Sequence, residues 1–182
     1  MAAWEQAMVT LVRDRGGALK RYAFLLCGND ADADDLVQEA LVRAFARPGR
    51  RDGDQVEAYV RRIMLNKFLD STRRHRIWSK AMPLLSGDPV VPDQAGSVAA
   101  RADVRTALAA LPPQQRACAV LRYYEDLTVP QIAALLGCRA GTVKRYLSEA
   151  HGRLGDVLGQ GEEESGGKPR GADLPAADRV GR

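Results

Sequence analysis

The sequence predicts an all-α protein made of two small helical domains joined by a flexible linker and followed by a disordered tail. Apolar residues recur at helical spacing along most of the 182 residues, whereas Val, Ile and Thr never alternate over the length of a strand. Clusters of Pro and Gly interrupt this periodicity twice. We therefore expect domains at residues 1–78 and 103–158, a linker at 79–102 and a tail at 159–182.

Four helices are expected in the first domain. The first is expected from about Trp4 to Arg13. The second follows Gly16-Gly17 and runs to about Cys27, because this glycine pair should interrupt the periodic pattern. The third is expected over residues 32–46, before Pro48-Gly49, and the fourth over residues 56–78.

The second domain ends in a helix-turn-helix pattern, after helices expected over residues 103–111 and 114–124. Thr128 and Gln131 have the spacing of a capping box, and Gly137 is placed to end the short helix that they begin. Apolar residues of the following helix then recur at helical spacing, at Val143, Leu147, Ala150 and Leu154.

The other side of that last helix carries small, hydroxyl and basic residues. Such a surface suits close approach to a phosphate backbone, so the motif predicts DNA binding. The alternative for the motif alone is an ordinary helical hairpin with a solvated basic face.

The helix over residues 32–46 is acidic on its outer side. Aspartates at its start complement the helix dipole, but this does not explain why Asp35, Gln38, Glu39 and an apolar Val42 share one face. We interpret that face as a docking surface for another protein, with a merely solvated face as the alternative. A calcium loop is excluded, because Asp35 and Leu41 stand where it requires Gly and Glu.

The helix over residues 56–78 has the opposite charge. Residues 61–76 carry six basic side chains against Asp70 alone, and a narrow stripe is formed by Tyr59, Arg62, Asn66 and Arg73. Guanidinium, amide and aromatic groups on one face offer phosphate contacts, base-edge hydrogen bonds and stacking. The alternative is a solvated helix end whose arginines, including Arg74, complement the dipole.

No catalytic signature is present, so we expect no enzyme activity, cofactor or metal site. Cys27, Cys118 and Cys138 are odd in number and far apart, which argues against a disulfide framework and a zinc site. No signal peptide and no apolar run of membrane-spanning length is found, so a cytoplasmic protein without membrane insertion is expected.

Four motifs in order carry a resemblance to a known family. They are Asp32-x-x-Asp35-Leu-Val-Gln-Glu-Ala, Ala58-Tyr59-Val-Arg-Arg-Ile-x-x-Asn66, Leu111-Pro-Pro-x-x-Arg116 and Gly141-Thr-Val-Lys144-Arg145. Over residues 4–158 the chain resembles bacterial RNA polymerase sigma factors of the extracytoplasmic-function (ECF) group, and among them the actinobacterial SigE-like subgroup.

The resemblance implies a role for each surface, in a protein that is monomeric when free. It implies that Asp35, Gln38 and Glu39 of this chain dock on the β′ clamp helices of core polymerase. Further contacts of the chain with the β subunit are also implied. The residues for the minus-10 promoter element are Tyr59, Arg62, Asn66, Arg73 and Arg74. The residues for the minus-35 element are Arg139, Thr142, Lys144, Arg145 and Ser148. The resemblance leaves open whether an anti-sigma factor is a further partner.

The residue at position 149 departs from the family pattern. Glu149 stands where the family usually has a basic residue, which should weaken minus-35 contacts.

The alternative function is a free-standing helix-turn-helix regulator that acts without polymerase. Such a regulator has no need of the acidic docking face and would be expected to dimerise, and no dimerisation helix is evident.

Overall fold

The computed structural model describes residues 2–47, 53–81 and 106–165, which form helices and turns and contain no strand. Within these ranges, the helices of eight or more residues are α1 (Ala2–Cys27), α2 (Asp30–Phe45), α3 (Gly53–Ala81), α4 (Pro113–Tyr123), α5 (Val129–Leu136) and α6 (Ala140–Ser165). A helical turn over residues 106–109 precedes α4. The all-α class predicted from the sequence is confirmed.

The first helix corrects a sequence prediction, because α1 continues through Gly16-Gly17 without a break. Neither glycine adopts a positive φ. Each costs a helix about 1 kcal/mol relative to Ala. The cost is offset because the buried stripe of α1 continues on both sides of the pair, at Leu11, Ala18, Leu19 and Tyr22.

The junction between α1 and α2 is a tight turn at Gly28 and Asn29. Gly28 has φ +86° and donates its N–H to the Phe24 carbonyl oxygen at 2.7 Å, which ends α1. Asn29 caps the next helix by accepting a hydrogen bond from the Asp32 N–H at 2.8 Å. Because this cap lies outside the acidic run, α2 begins at Asp30, two residues before the predicted start.

Two helices extend beyond their predicted ends. Helix α3 reaches Ala81, and α6 reaches Ser165, seven residues into the expected tail, where a run of three glutamates favours the helical state. The rest of the predicted linker and tail lies outside the described residues. Although α1, α3 and α6 each have more than 18 residues, no helix in the described ranges is apolar enough to cross a membrane.

Two helical units, α1–α3 and α4–α6, share one apolar core. Met8, Leu19 and Met64 are buried in the first unit, and Ile132 and Val143 in the second. All belong to one continuous cluster of buried side chains. The two units therefore pack against each other, an arrangement that a flexible linker alone does not predict.

Arg116 of α4 joins the two units through backbone carbonyls. Its Nη1 donates to the carbonyl oxygens of Leu26 at 2.9 Å and Cys27 at 3.3 Å, at the end of α1. Its Nη2 donates to the carbonyl oxygens of Leu111 at 3.1 Å and Ala109. Burial lowers the pKa of Arg116, whose hydrogen-bond partners are carbonyl oxygens and not a carboxylate. Arg116 of the second unit therefore completes the C-terminal cap of the first.

Gly28→Ala should lower the free energy of unfolding by about 1–2 kcal/mol, because an L side chain is strained at a left-handed φ. The added Cβ would also lie 3.3 Å from the Ala109 Cβ. Chemical denaturation provides the measurement. Gly152→Ala is the control, since a Cβ there meets nothing within 4 Å and should stabilise α6. Equal effects of the two variants would contradict the role of Gly28.

Candidate nucleic-acid and protein interfaces

Asp35, Gln38 and Glu39 form an exposed acidic stripe along the outer face of α2. Glu39 is ion-paired with Lys67 of α3 and lies 3.6 Å from the Arg43 guanidinium. The hydrogen bond from Lys67 lowers the pKa of Glu39. Asp35 makes no ion pair with any residue that the structure describes. The two carboxylates therefore differ: Glu39 helps to join α2 to α3, whereas Asp35 is available to a partner.

An apolar groove adjoins the acidic stripe, between α1 and α2. Val9 and Val12 of α1 and Val42 and Phe45 of α2 are about half exposed and line it, with Met8 beneath them. The sequence indicated only Val42 as an exposed apolar residue on this face. The contribution of α1 was missed because Val9 and Val12 directly follow the buried residues Met8 and Leu11 in the sequence, and their helical spacing is therefore close to that of the core residues. Exposed aliphatic side chains beside carboxylates suit an amphipathic partner helix.

Tyr59, Arg62 and Asn66 of α3 are brought together, as the sequence predicted. They line an open cavity of about 840 Å³, and Arg43, Arg47 and Lys67 add three more basic side chains to its wall. The Tyr59 ring packs edge-on against Trp4, with centroids 6.3 Å apart. The cavity therefore combines a braced aromatic ring, an amide and several cations.

Arg73 and Arg74 lie further along α3 and are exposed, but they do not line the cavity. Their position extends the basic surface along the helix by two turns beyond Asn66. A polyanion leaving the cavity along α3 would meet these two guanidinium groups.

The helix-turn-helix forms as predicted from its local signals. The Thr128 N–H donates to the Gln131 Oε1 at 2.8 Å, which is the capping-box contact. Gly137 ends α5 with φ +62°, and the next N–H, of Cys138, donates to the Ala133 carbonyl oxygen at 3.0 Å. This turn fixes the direction in which α6 leaves α5.

Helix α6 presents the predicted recognition face to solvent. Val143 and Ala150 are buried on its inner side. On the outer side Lys144, Arg145 and Ser148 are exposed and Thr142 is half-buried. Arg139, which immediately precedes α6, is also exposed.

Glu149 is held in place on that face by two contacts. It lies 3.6 Å from the Arg145 guanidinium and accepts a hydrogen bond from the Gln115 Nε2 at 2.6 Å. Gln115 is a buried polar residue of α4, so the carboxylate also satisfies a buried donor. The acidic residue therefore has a structural partner as well as the expected effect on nearby phosphates.

The comparisons with known families match both units. The family model described as Sigma-70 region 2 matches residues 11–77, which contain the acidic stripe and the α3 cavity. The model described as Sigma-70, region 4 matches residues 101–154, which contain the helix-turn-helix.

The chain is also similar in sequence to curated RNA polymerase sigma factors. The ECF RNA polymerase sigma factor SigE of Mycolicibacterium smegmatis is 33% identical over 171 residues, covering 91% of this chain and 65% of the relative. The RNA polymerase sigma-E factor of Streptomyces avermitilis is 38% identical over 148 residues, covering 81% of this chain and 82% of the relative.

Two solved structures share the fold. The sigma factor RpoE in complex with the anti-sigma factor NepR, from Bartonella quintana, has a TM-score of 0.61 and 25% identity, and the match covers 87% of this chain and 98% of that one. CnrH in complex with the cytosolic domain of CnrY has a TM-score of 0.56 and 26% identity, with coverages of 86% and 90%.

Glu149→Gln should strengthen binding to duplex DNA by about 0.4–1 kcal/mol, or about two- to fivefold in Kd. The variant removes a negative charge beside Arg145 but keeps an oxygen that accepts from Gln115. Fluorescence anisotropy at fixed salt provides the measurement. Glu5→Gln, at an exposed position of α1, is the charge-matched control. If the two variants bind alike, Glu149 does not act on the phosphates.

Proposed function

The chain belongs to the extracytoplasmic-function RNA polymerase sigma factors, and we propose that it binds core RNA polymerase and directs it to a specific set of promoters. The observation that carries this proposal is the pairing of two opposite surfaces on adjacent helices. An acidic stripe with an apolar groove faces outward on α2, and a basic cavity lies along α3. One small unit can therefore bind a protein and a nucleic acid at once.

We propose that the α2 surface docks on the β′ clamp helices of the polymerase. The groove accepts apolar side chains from a partner helix, and desolvation of its valines and Phe45 supplies the affinity. Asp35 and Gln38 then meet basic and polar groups at the rim, which sets orientation and the rate of encounter. Glu39 contributes less directly, because Lys67 and Arg43 already neutralise it.

For the minus-10 element, we propose that the α3 cavity holds an unpaired nucleotide. Its volume suits a nucleotide, Tyr59 offers a ring for stacking, and Asn66 offers both a donor and an acceptor to a base edge. Arg62 and the exposed Arg73 and Arg74 then contact the phosphates of the same strand. These groups favour the single strand over the duplex, which helps promoter opening.

For the minus-35 element, we propose that α6 enters the major groove with Lys144 and Arg145 towards bases and phosphates. Arg139, Thr142 and Ser148 border the same face and supply the backbone contacts. The two DNA-binding units lie on one chain, so binding by one raises the effective concentration of the other. We therefore expect specificity to come from both elements together.

The alternative of a free-standing regulator is not favoured, because models of regions 2 and 4 match in order along the chain. Transcription takes place where the chromosome is, so we propose a cytoplasmic location. An anti-sigma factor is a further candidate partner. One of the similar solved structures is a complex with the anti-sigma factor NepR, and the other is a complex with the cytosolic domain of CnrY.

The docking proposal predicts that Asp35→Arg abolishes co-purification with core polymerase and promoter-specific transcription in vitro. A like charge placed against a basic partner surface costs several kcal/mol. The melting curve should not change, because an exposed substitution usually alters stability by less than about 0.5 kcal/mol. The double change at Gln38 and Glu39 is a less clean test, since Lys67 would lose its partner.

Asp14→Arg is the matched control, because it makes the same change in charge at an exposed residue whose ion pair is with neighbouring Arg13. The control should bind polymerase at wild-type strength. Wild-type binding by Asp35→Arg would contradict the docking surface. Failure of the unsubstituted chain to support transcription from any promoter would contradict the proposed function itself.

A further inference from the structure

The two neighbouring cations on the outer face of α6 differ in their contacts. Lys144 is exposed and makes no ion pair with any residue that the structure describes. Arg145 has a neighbour on each of two sides. Its Nε lies 3.6 Å from the Glu149 Oε1, and its guanidinium lies 5.4 Å from the centroid of the Tyr146 ring, which packs on the apolar core. The Arg145 side chain is therefore held in one direction, whereas that of Lys144 is not.

Glu149 is itself fixed by a buried amide. The Nε2 of Gln115, a residue of α4 that is only 6% exposed, donates to the Glu149 Oε2 at 2.6 Å. The Oε1 of Gln115 is buried and has no hydrogen-bond partner in the described part of the chain. A buried acceptor without a partner costs free energy, and a methionine of similar shape would avoid that cost. Packing alone therefore does not explain the amide, whereas its contact with Glu149 does.

The ion pair leaves the outer end of Arg145 free. An exposed pair four residues apart on a helix normally adds little to stability. Here the carboxylate lies at Nε, and neither Nη1 nor Nη2 of Arg145 has a hydrogen-bond partner among the described residues. Two such donors on one planar group can contact O6 and N7 of a guanine at the same time. A side chain that is already held in place loses less conformational entropy when it makes this contact.

We propose that Gln115 and Glu149 are positioning residues that hold Arg145 for contact with a guanine of the minus-35 element. The proposal rests on the function proposed above, which supplies that element and places α6 in the major groove. Gln115 acts from beneath the helix and does not touch DNA. The Glu149 carboxylate repels the phosphates of any sequence, so it lowers general affinity while it raises the preference for one base. Lys144, which is not held, contacts phosphates.

The sharpest variant is Gln115→Met, because it removes the donor to Glu149 and keeps the side-chain volume and the net charge. Gln114→Met is the matched control, since it makes the same change at the preceding, exposed position of α4. The full chain, free and bound to core polymerase, is used to select duplexes from a randomised DNA pool. The base pair that Arg145 reads is the one whose preference is lost in Arg145→Ala, and we expect guanine there.

Fluorescence anisotropy then gives the ratio of Kd for a duplex with adenine at that position to Kd for the guanine duplex. This ratio should fall about two- to tenfold in Gln115→Met, as expected when one long side chain must be ordered on binding. Its Kd for an unrelated duplex and its melting temperature should not change. Glu149→Gln should also lower the ratio, but it should bind the unrelated duplex more tightly because a negative charge is lost.

A lower ratio in both variants, with the unsubstituted value in Gln114→Met, supports the positioning role. An unchanged ratio in either folded variant, or an equal fall in the control, overturns it. So does an Arg145-dependent preference for another base, or the lack of any such preference. If Gln115→Met melts early, Glu149→Gln decides, because it keeps an acceptor for Gln115.

Promoter-specific transcription with core polymerase is measured in parallel on the unsubstituted chain. Its absence would overturn the proposed function, and the base preference of the free chain would still test the positioning of Arg145.

Discussion

The structure depends on one half-buried guanidinium, that of Arg116, and on its need for hydrogen-bond acceptors. A buried cation without partners is strongly destabilising, and Arg116 meets this need with four backbone carbonyl oxygens at the end of α1 and before α4. The carbonyls of Leu26 and Cys27 are among those that the end of α1 leaves without intrahelical partners. The contact therefore gives partners to both terminal nitrogens of the guanidinium, although its Nε has none, and it fixes where α4 lies against α1. The direction of α5 and α6, and thus of the recognition face, follows from that position.

The acidic stripe on α2, the basic cavity along α3 and the contact between the two units differ in their balance of charge. Lys67 lines the α3 cavity and also pairs with Glu39 of the acidic stripe, so it links the proposed docking surface to the proposed minus-10 site. Arg61 of α3 pairs with Glu57 on its own helix and with Glu125 of the second unit, and Arg15 also pairs with Glu57. These two cations and two carboxylates balance, whereas the wall of the α3 cavity is mostly basic. Apart from Arg116, which joins the units through carbonyl oxygens, the unbalanced charges lie mainly on the surfaces proposed to meet polymerase and DNA.

Features encoded within a few residues could be predicted from the sequence, and those that depend on distant neighbours could not. The capping box at Thr128 and the turn at Gly137 are local, and both formed as predicted. The continuous α1 was missed because a buried stripe outweighs the glycine pair. The pairing of Glu39 with Lys67 and the packing of the units through Arg116 each join residues far apart in the chain. The assignments of Asp35, Tyr59 and Arg145 to their partners remain predictions.

Differential scanning calorimetry of the free chain tests the central claim most directly, because a shared core makes the two units unfold together. The account predicts one transition for the unsubstituted chain, with equal calorimetric and van't Hoff enthalpies. Arg116→Met should split it into two, since the cap on α1 and the anchor of α4 are lost together. Two separate transitions in the unsubstituted chain, or a single unshifted transition in Arg116→Met, would contradict it.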